Sequence, residues 1–218
     1  GTTFSAVATI DETGRPKIIY NNDKNITASC VELIGGTDLN VGDEAEARLG
    51  LKGFNVGARF KRDMGSDVQI ELGTGKHTKK FTPTDLSAAV LREMKKIAEN
   101  EVGEVIEAVV TVPANFKHDA RDATMLAAKK AGLEVRHIIN EPTAAALYYA
   151  SLEEDDLHGN YTVYDLGGGT FDVSVVNING KDVEVLATDG VQKLGGDDFD
   201  RALQNLSLIH ISEPTRPY

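Results

Sequence analysis

The chain has 218 residues, 41% of them hydrophobic and 26% charged, with a formal net charge of −11. That length supports one large core or two modest ones, and no apolar run approaches the ~18 residues of a membrane span. The acidic balance argues against nucleic acid or an anionic membrane as the main partner, although backbone amides and a few lysines still allow a phosphate ligand. Cys30 is the single cysteine, so a disulfide framework is excluded. With no basic-then-apolar leader in view, a reducing, cytoplasmic setting is expected.

In chain order, "FSAVATI" at residues 4–10 and "KIIY" at 17–20 predict two strands around the turn "DETGRP". Residues 21–80 mix glycines, short apolar runs and charges, and 31–80 is expected to form a small inserted α+β subdomain. "TPTD" then offers Thr82 as N-cap, Pro83 as first helical residue and Asp85 in the first turn. Leu86, Val90, Met94 and Ile97 recur at helical spacing behind it, with Ala89 and Ala98 on the same face. A buried-type strand is predicted at 107–113, an alanine-rich helix at 118–132 and a strand at 134–139. A helix opened by Pro142 follows at 141–150. After the acidic stretch 152–160, strands are predicted at 161–166, 171–178 and 182–188, the last two joined by Asn179-Gly180. "DDFDRALQNL" at 197–206 reads as a helix start.

The two ends of this scheme match. "GTTFSAVATIDETGRPKIIY" and "GGTFDVSVVNINGKDVEVLA" share the order loop, strand, turn, strand, with Gly1, Thr3 and Phe4 aligning on Gly168, Thr170 and Phe171. Because "YDL" (164–166) precedes the second glycine turn, the repeat predicts a strand and an aspartate ahead of Gly1. Adjacent glycines let backbone approach a ligand closely, and successive amides in such a turn form an anion-binding concavity. An aspartate ending the preceding strand can hold a cation or its water shell. No G-x-x-x-x-G-K-[ST] pattern occurs, so this is not a P-loop.

"DLGGGTFDVS", "IINEPTAAAL", "VVTVPANF" and "LGGDDFD", with the opening "GTTFSAVA", resemble the DnaK-like, seventy-kilodalton heat-shock chaperones from Gly1 to about Leu206. The resemblance implies an α/β, actin-like (ribonuclease H-like) ATPase fold. Residues 1–154 would form its first lobe and 155–206 the start of a second, both closing on magnesium-ATP or ADP. It places Gly1, Thr2 and Thr3 in a first phosphate loop, Asp165, Gly167, Gly168, Gly169 and Thr170 in a second, and Gly195 and Gly196 in a further nucleotide-side turn. It makes Lys61, Glu141 and Thr170 catalytic, with Lys61 at the γ-phosphate and Glu141 near the metal-bound water. Asp165 and Asp172 fall to magnesium, with potassium a further cation at Asp172, and Pro113 and Arg121 relay nucleotide state to a peptide-binding domain. Without the resemblance, Lys61-Arg62 reads as a solvated basic pair, Glu141 as a helix N-terminal charge, Asp172 as a solvent-facing strand residue and Arg121 as a surface helix arginine.

The implied function couples ATP hydrolysis to binding and release of unfolded polypeptides, with a J-domain co-chaperone and a nucleotide exchange factor as partners and no nucleic acid or membrane. A sugar or acetate kinase, or a filament-forming protein, shares the fold. The chain departs from the family pattern where the first phosphate loop's aspartate is expected before Gly1. The subdomain 31–80 is also short, and adenosine-contacting segments are expected beyond 206. Residues 207–218 lose the helical period, gain two prolines and read as a non-native tail, similar to translated sequencing adapter.

Overall fold

The computed structural model describes residues 1–153 and 155–212, an α/β fold whose elements follow the predicted order closely. The first strand region splits at Ala6 into β1 (Phe4–Ser5) and β2 (Val7–Ile10), because each half pairs with a different neighbour. β2 runs antiparallel to β3 (Pro16–Ile19), and β1 antiparallel to β4 (Thr27–Ala28). The Asp11 carboxylate closes the hairpin by accepting from the amides of Thr13 at 2.8 Å and Arg15 at 2.9 Å, an Asx-type turn.

The weakly patterned region resolves into short strands. β5 (Val31–Ile34), β6 (Asp38–Val41) and β7 (Val56–Gly57) form a sheet in the order β6-β5-β7, with α1 (Asp43–Ala47) after β6. A 3-10 turn at Phe60–Asp63 precedes the hairpin of β8 (Ile70–Leu72) and β9 (Lys79–Phe81). Strands this short cannot display a period of two, which is why the region is indistinct in sequence. Ala28, Cys30 and Ala45 form a small core there with Leu49, Val56 and Ala58, and other residues of the region join a larger one. Val31, Leu33, Phe60 and Leu72 pack with Ile19 of β3 and with Leu86, Val90, Met94 and Ile97 of α2 (Pro83–Val102).

Helix α2 is built as its caps predict. The Thr82 hydroxyl accepts from the Asp85 amide at 3.1 Å while the Asp85 carboxylate accepts from the Thr82 amide at 3.0 Å, a reciprocal capping box worth about 1 kcal/mol. Beside it, β10 (Glu107–Val112) and β11 (Glu134–Asn140) pair in parallel, joined by α3 (His118–Lys130). Ala120, Ala127 and Ala128 are buried on α3, small side chains that allow close approach to α2. Gly132, at φ 76°, turns the chain out of the helix.

β11 runs without a loop into α4 (Glu141–Ala150). The strands β12 (His158–Leu166), β13 (Phe171–Asn179) and β14 (Asp182–Val191) form an antiparallel meander. Ala146 of α4 packs with Val176 and Ile178 of β13 in a second core. The helix expected to end the first lobe therefore sits on strands assigned to the second; Glu154, at that boundary, lies outside the described residues.

The last helix, α5 (Gly196–Ser212), continues beyond Leu206, where the sequence reading stops it. No proline or glycine interrupts residues 207–212, and the first breaker is Pro214. The rest of the expected tail, 213–218, lies outside the described residues.

Candidate functional site

The two halves of the internal repeat meet through their turns. A Cβ built on Gly168 would lie 2.3 Å from the Thr3 hydroxyl oxygen, and one on Gly169 would lie 2.4 Å from Thr2 Cγ2. A Cβ on Gly195 would lie 2.5–2.6 Å from the Gly168 and Gly169 backbone. None of these glycines has positive φ. They are needed for close approach, and the approaching atoms belong to the opposite turn.

Backbone bonds fix the junction. The Gly167 amide donates to the Thr170 carbonyl at 3.0 Å, and the first amides of α5, Gly196 and Asp197, donate to the carbonyls of Gly167 (3.1 Å) and Gly168 (2.9 Å). On the other side the Ser29 amide donates to the Thr3 carbonyl at 2.8 Å and its hydroxyl to the Gly1 carbonyl at 3.0 Å. Gly1, Thr2, Thr3, Gly167, Gly168, Gly169, Thr170, Gly195 and Gly196 thus form one contiguous surface.

The 3-10 turn faces this junction with three cations, each bound to a different acid. Arg59 holds Asp197 through both guanidinium arms, Lys61 Nζ lies 2.5 Å from Glu141 Oε1, and Arg62 Nη2 lies 2.8 Å from Asp198 Oδ2. The Arg59 hydrogen bond holds the Asp197 carboxyl below the usual range. Arg59 itself sits at φ 60°, a left-handed conformation costing a non-glycine residue about 1 kcal/mol, which the bidentate pair offsets. Lys61 also lies 5.9 Å from the Phe116 ring centroid.

The acids form the remaining wall. Asp165 and Asp172 are direct cross-strand partners on β12 and β13, so two like charges share one face, an unfavourable pair. Burial, then Glu141 and Asp165, pushes the Asp172 carboxyl up to about 6. Shielding by its surroundings, then Glu141, raises Asp165 above the ordinary range against the pull of Lys61. Asn115 Nδ2 donates to Asp172 Oδ1 at 2.6 Å.

Asp172 is not solvent-facing, as its strand alone suggests. It is 6% exposed, because period two puts it on the inner face with Ser174, Val176 and Ile178. Nor is Arg121 a plain surface arginine. Its Nε donates to the Phe116 carbonyl at 3.1 Å and its Nη2 to Asn140 Oδ1 at 2.5 Å. The Phe116 amide in turn donates to the Pro113 carbonyl at 3.1 Å. Pro113 and Arg121 are thereby tied to Asn140, the residue before Glu141.

Arg59, Asn115, Asn140, Asp197 and Asp198 belong to the site without being singled out by sequence, and Arg62, which reads there as part of a solvated basic pair, is instead buried against Asp198. For four of them the signal lay inside motifs already quoted: "LGGDDFD" carries the two acids, "VVTVPANF" an asparagine just past a strand end and "IINEPTAAAL" one just before a helix.

Two buried donors at the junction have no hydrogen-bond partner, the Thr3 hydroxyl and Arg62 Nε. Among the described residues no group of three or more His, Cys, Asp or Glu side chains is placed to hold a metal by itself. The donor set therefore suits an anion with phosphate oxygens, and the crowded Asp165–Asp172 pair suits a cation held through water and that anion rather than a direct protein cage.

The family described as Hsp70 protein matches residues 1–213, and its span takes in both glycine turns, the 3-10 turn and all five acids. With that match over a site of this construction, the chain belongs to the Hsp70 family and carries its N-terminal ATPase-domain sequence.

Proposed function

We propose that this chain forms the actin-like, two-lobed core of a chaperone ATPase, closing on magnesium-ATP between the Gly1–Thr3 and Gly167–Thr170 turns. Members of the family bind ATP or ADP with magnesium and hydrolyse ATP. The observation that carries the reading to these residues is the pair of unpartnered buried donors, the Thr3 hydroxyl and Arg62 Nε, at the contact of the two turns. Both can donate to phosphate oxygens, beside the backbone amides of the glycine turn.

In this reading Lys61 and Glu141 hold the attacking water, Lys61 by donating to it and Glu141 by accepting from it, with the Thr170 hydroxyl completing its orientation. The water oxygen bonds to the γ-phosphorus as the bond to the bridging oxygen breaks, ADP leaves with that electron pair, and the water's surplus proton passes by way of the Glu141 carboxylate to solvent. Lys61 offsets the charge developing on the phosphoryl oxygens. Asp165 and Asp172 would hold the water shell of magnesium, which would neutralise phosphate charge, and Asp172 would additionally suit potassium. The Asn140–Arg121–Phe116–Pro113 chain ties the backbone beside Glu141 to Pro113, and through it nucleotide state would be relayed to a peptide-binding domain.

Unfolded polypeptides are the proposed clients, with a J-domain co-chaperone and a nucleotide exchange factor as partners, and the cytoplasm as location. No described helix is long and apolar enough to cross a membrane.

Calorimetric titration with magnesium-ATP tests the reading. Saturable binding that Thr3→Ala and Arg62→Met each weaken by about tenfold, the worth of one or two charge-assisted bonds, is expected. Binding that neither substitution alters would place the nucleotide elsewhere.

A further inference from the structure

The Asn115 side chain carries a third buried atom without a partner, and unlike the Thr3 hydroxyl and Arg62 Nε it is a pure acceptor. Its Nδ2 donates to Asp172 Oδ1 at 2.6 Å, which decides the way the amide faces, because a reversed amide would set its oxygen against a carboxylate. Asn115 Oδ1 is therefore held in one place, shielded from solvent and met by no donor among the described residues. A buried acceptor in that position is costly unless something entering the site meets it. Phosphate oxygens, being acceptors themselves, do not.

The carboxylate beside it is fixed as well. Gly190 of β14 is the cross-strand partner of Asp172, and a Cβ built there would lie 2.6 Å from Asp172 Oδ1 and 2.5 Å from the Phe171 carbonyl oxygen. Gly190 does not have positive φ, so it supplies room rather than conformational freedom. An amide's nitrogen and oxygen are about 2.3 Å apart, which puts Asn115 Oδ1 within about 5 Å of Asp172 Oδ1. Asp165, the partner of Asp172 on β12, adds a second carboxylate to the same face, while Lys61 is committed to Glu141. Oxygens converge here, and positive charge is short.

We propose that Asn115 is a cation-selecting residue, whose Oδ1 and the Asp172 carboxylate together hold one large monovalent cation of the potassium class, with Asp165 supplying further charge. Its part in catalysis rests on the ATPase reading above, whereas the site itself needs no nucleotide. Potassium at Asp172 is what the family resemblance implies; the choice of cation by Asn115 is read from the structure. A neutral amide oxygen offers a dipole and no net charge, which suits an ion that exchanges its hydration shell for carbonyl oxygens. Magnesium sheds water reluctantly and is bound through carboxylates and retained waters at about 2.1 Å. Asn115 thus reserves its side of Asp172 for the monovalent ion and leaves magnesium to its water shell.

Thallium(I), a potassium substitute of similar size, is the probe, titrated as its nitrate into the whole chain without nucleotide or chloride and followed by thallium NMR. Saturable binding to the parent that excess magnesium does not displace is expected. Asn115→Leu fills the space but offers no oxygen, and should bind thallium about tenfold more weakly or worse. Asn115→Asp loses the clamping amide yet keeps an oxygen in place, so it should bind at least as tightly as the parent. No saturable binding to the parent, equal binding by Asn115→Leu, or an equal loss in both variants, which would reduce Asn115 to a clamp on Asp172, would each overturn the proposal. A chain that binds thallium in the expected way but takes no magnesium-ATP would keep the cation site and discard the ATPase reading.

Discussion

Lys61 and Glu141, 80 residues apart in sequence, are joined by a 2.5 Å ion pair in which both side chains are largely shielded from solvent. The pair links the 3-10 turn to the first residue of α4, at the contact of the two glycine turns. In an ATP-hydrolysing protein carrying this sequence, Lys61→Ala should lower single-turnover hydrolysis by about 10²-fold, the usual effect of removing one charge-stabilising donor. Nucleotide affinity should stay within a few-fold of the parent. Rapid-quench measurement under saturating ATP checks both, and an unchanged rate would remove Lys61 from the chemistry.

Gly195 packs against backbone, which cannot swing aside. Gly195→Ala should destabilise the chain by about 1–3 kcal/mol, as overpacking does in a close-packed interior. Gly14→Ala is the contrast: nothing lies within 4 Å of its Cβ position, so its cost is limited to the left-handed backbone at φ 81°. Urea denaturation of both variants separates close approach from conformational strain.

Asp172 carries a charge held against stability. Its folded carboxyl, raised to about 6, binds a proton more tightly than in the unfolded chain, so its charge weakens the fold above that pH. Removing the charge with Asp172→Asn should stabilise the metal-free, nucleotide-free chain at pH 7.5 by about 2 kcal/mol. The gain should shrink as pH falls below about 6 and vanish toward 4, where the unfolded chain's carboxyl is protonated too. Denaturation midpoints across that range give the answer, and a destabilised variant at pH 7.5 would mean Asn115 and Asp172 act chiefly as a structural hydrogen bond.

Asp197 has the opposite sign. Held below the usual range by Arg59, it contributes stability present above the unfolded pKa and lost as pH falls through the lower folded value. Asp197→Asn should therefore be less stable than the parent at pH 7 by about 1 kcal/mol, a partly buried charge-assisted contact. The two proteins should begin to converge below about pH 4 and meet only once pH has fallen through the lower folded value. A difference with no pH dependence across that range would show packing, rather than charge, to be the origin.

Local chemistry was legible where one short segment decides the outcome. The capping box of Thr82 and Asp85, the Leu86–Val90–Met94 stripe and the Asn179-Gly180 turn depend on residues within a few positions of each other. Asp172 was misjudged even though β13 alternates regularly, because alternation names two faces and only the seating of α4 says which one is covered. The Arg59–Asp197 and Asn115–Asp172 contacts span 138 and 57 residues, and no local pattern encodes such a meeting.

By itself, then, the sequence determined the order of elements, the two matched glycine turns and the family, since each rests on spacing along the chain. Only the tertiary structure decided that Thr2 and Thr3 fill the space beside Gly168 and Gly169, and that three consecutive-turn cations each find a distant acid. Those outcomes depend on where helices α2 and α4 press the strands together, a matter of packing between segments that have no contact along the chain.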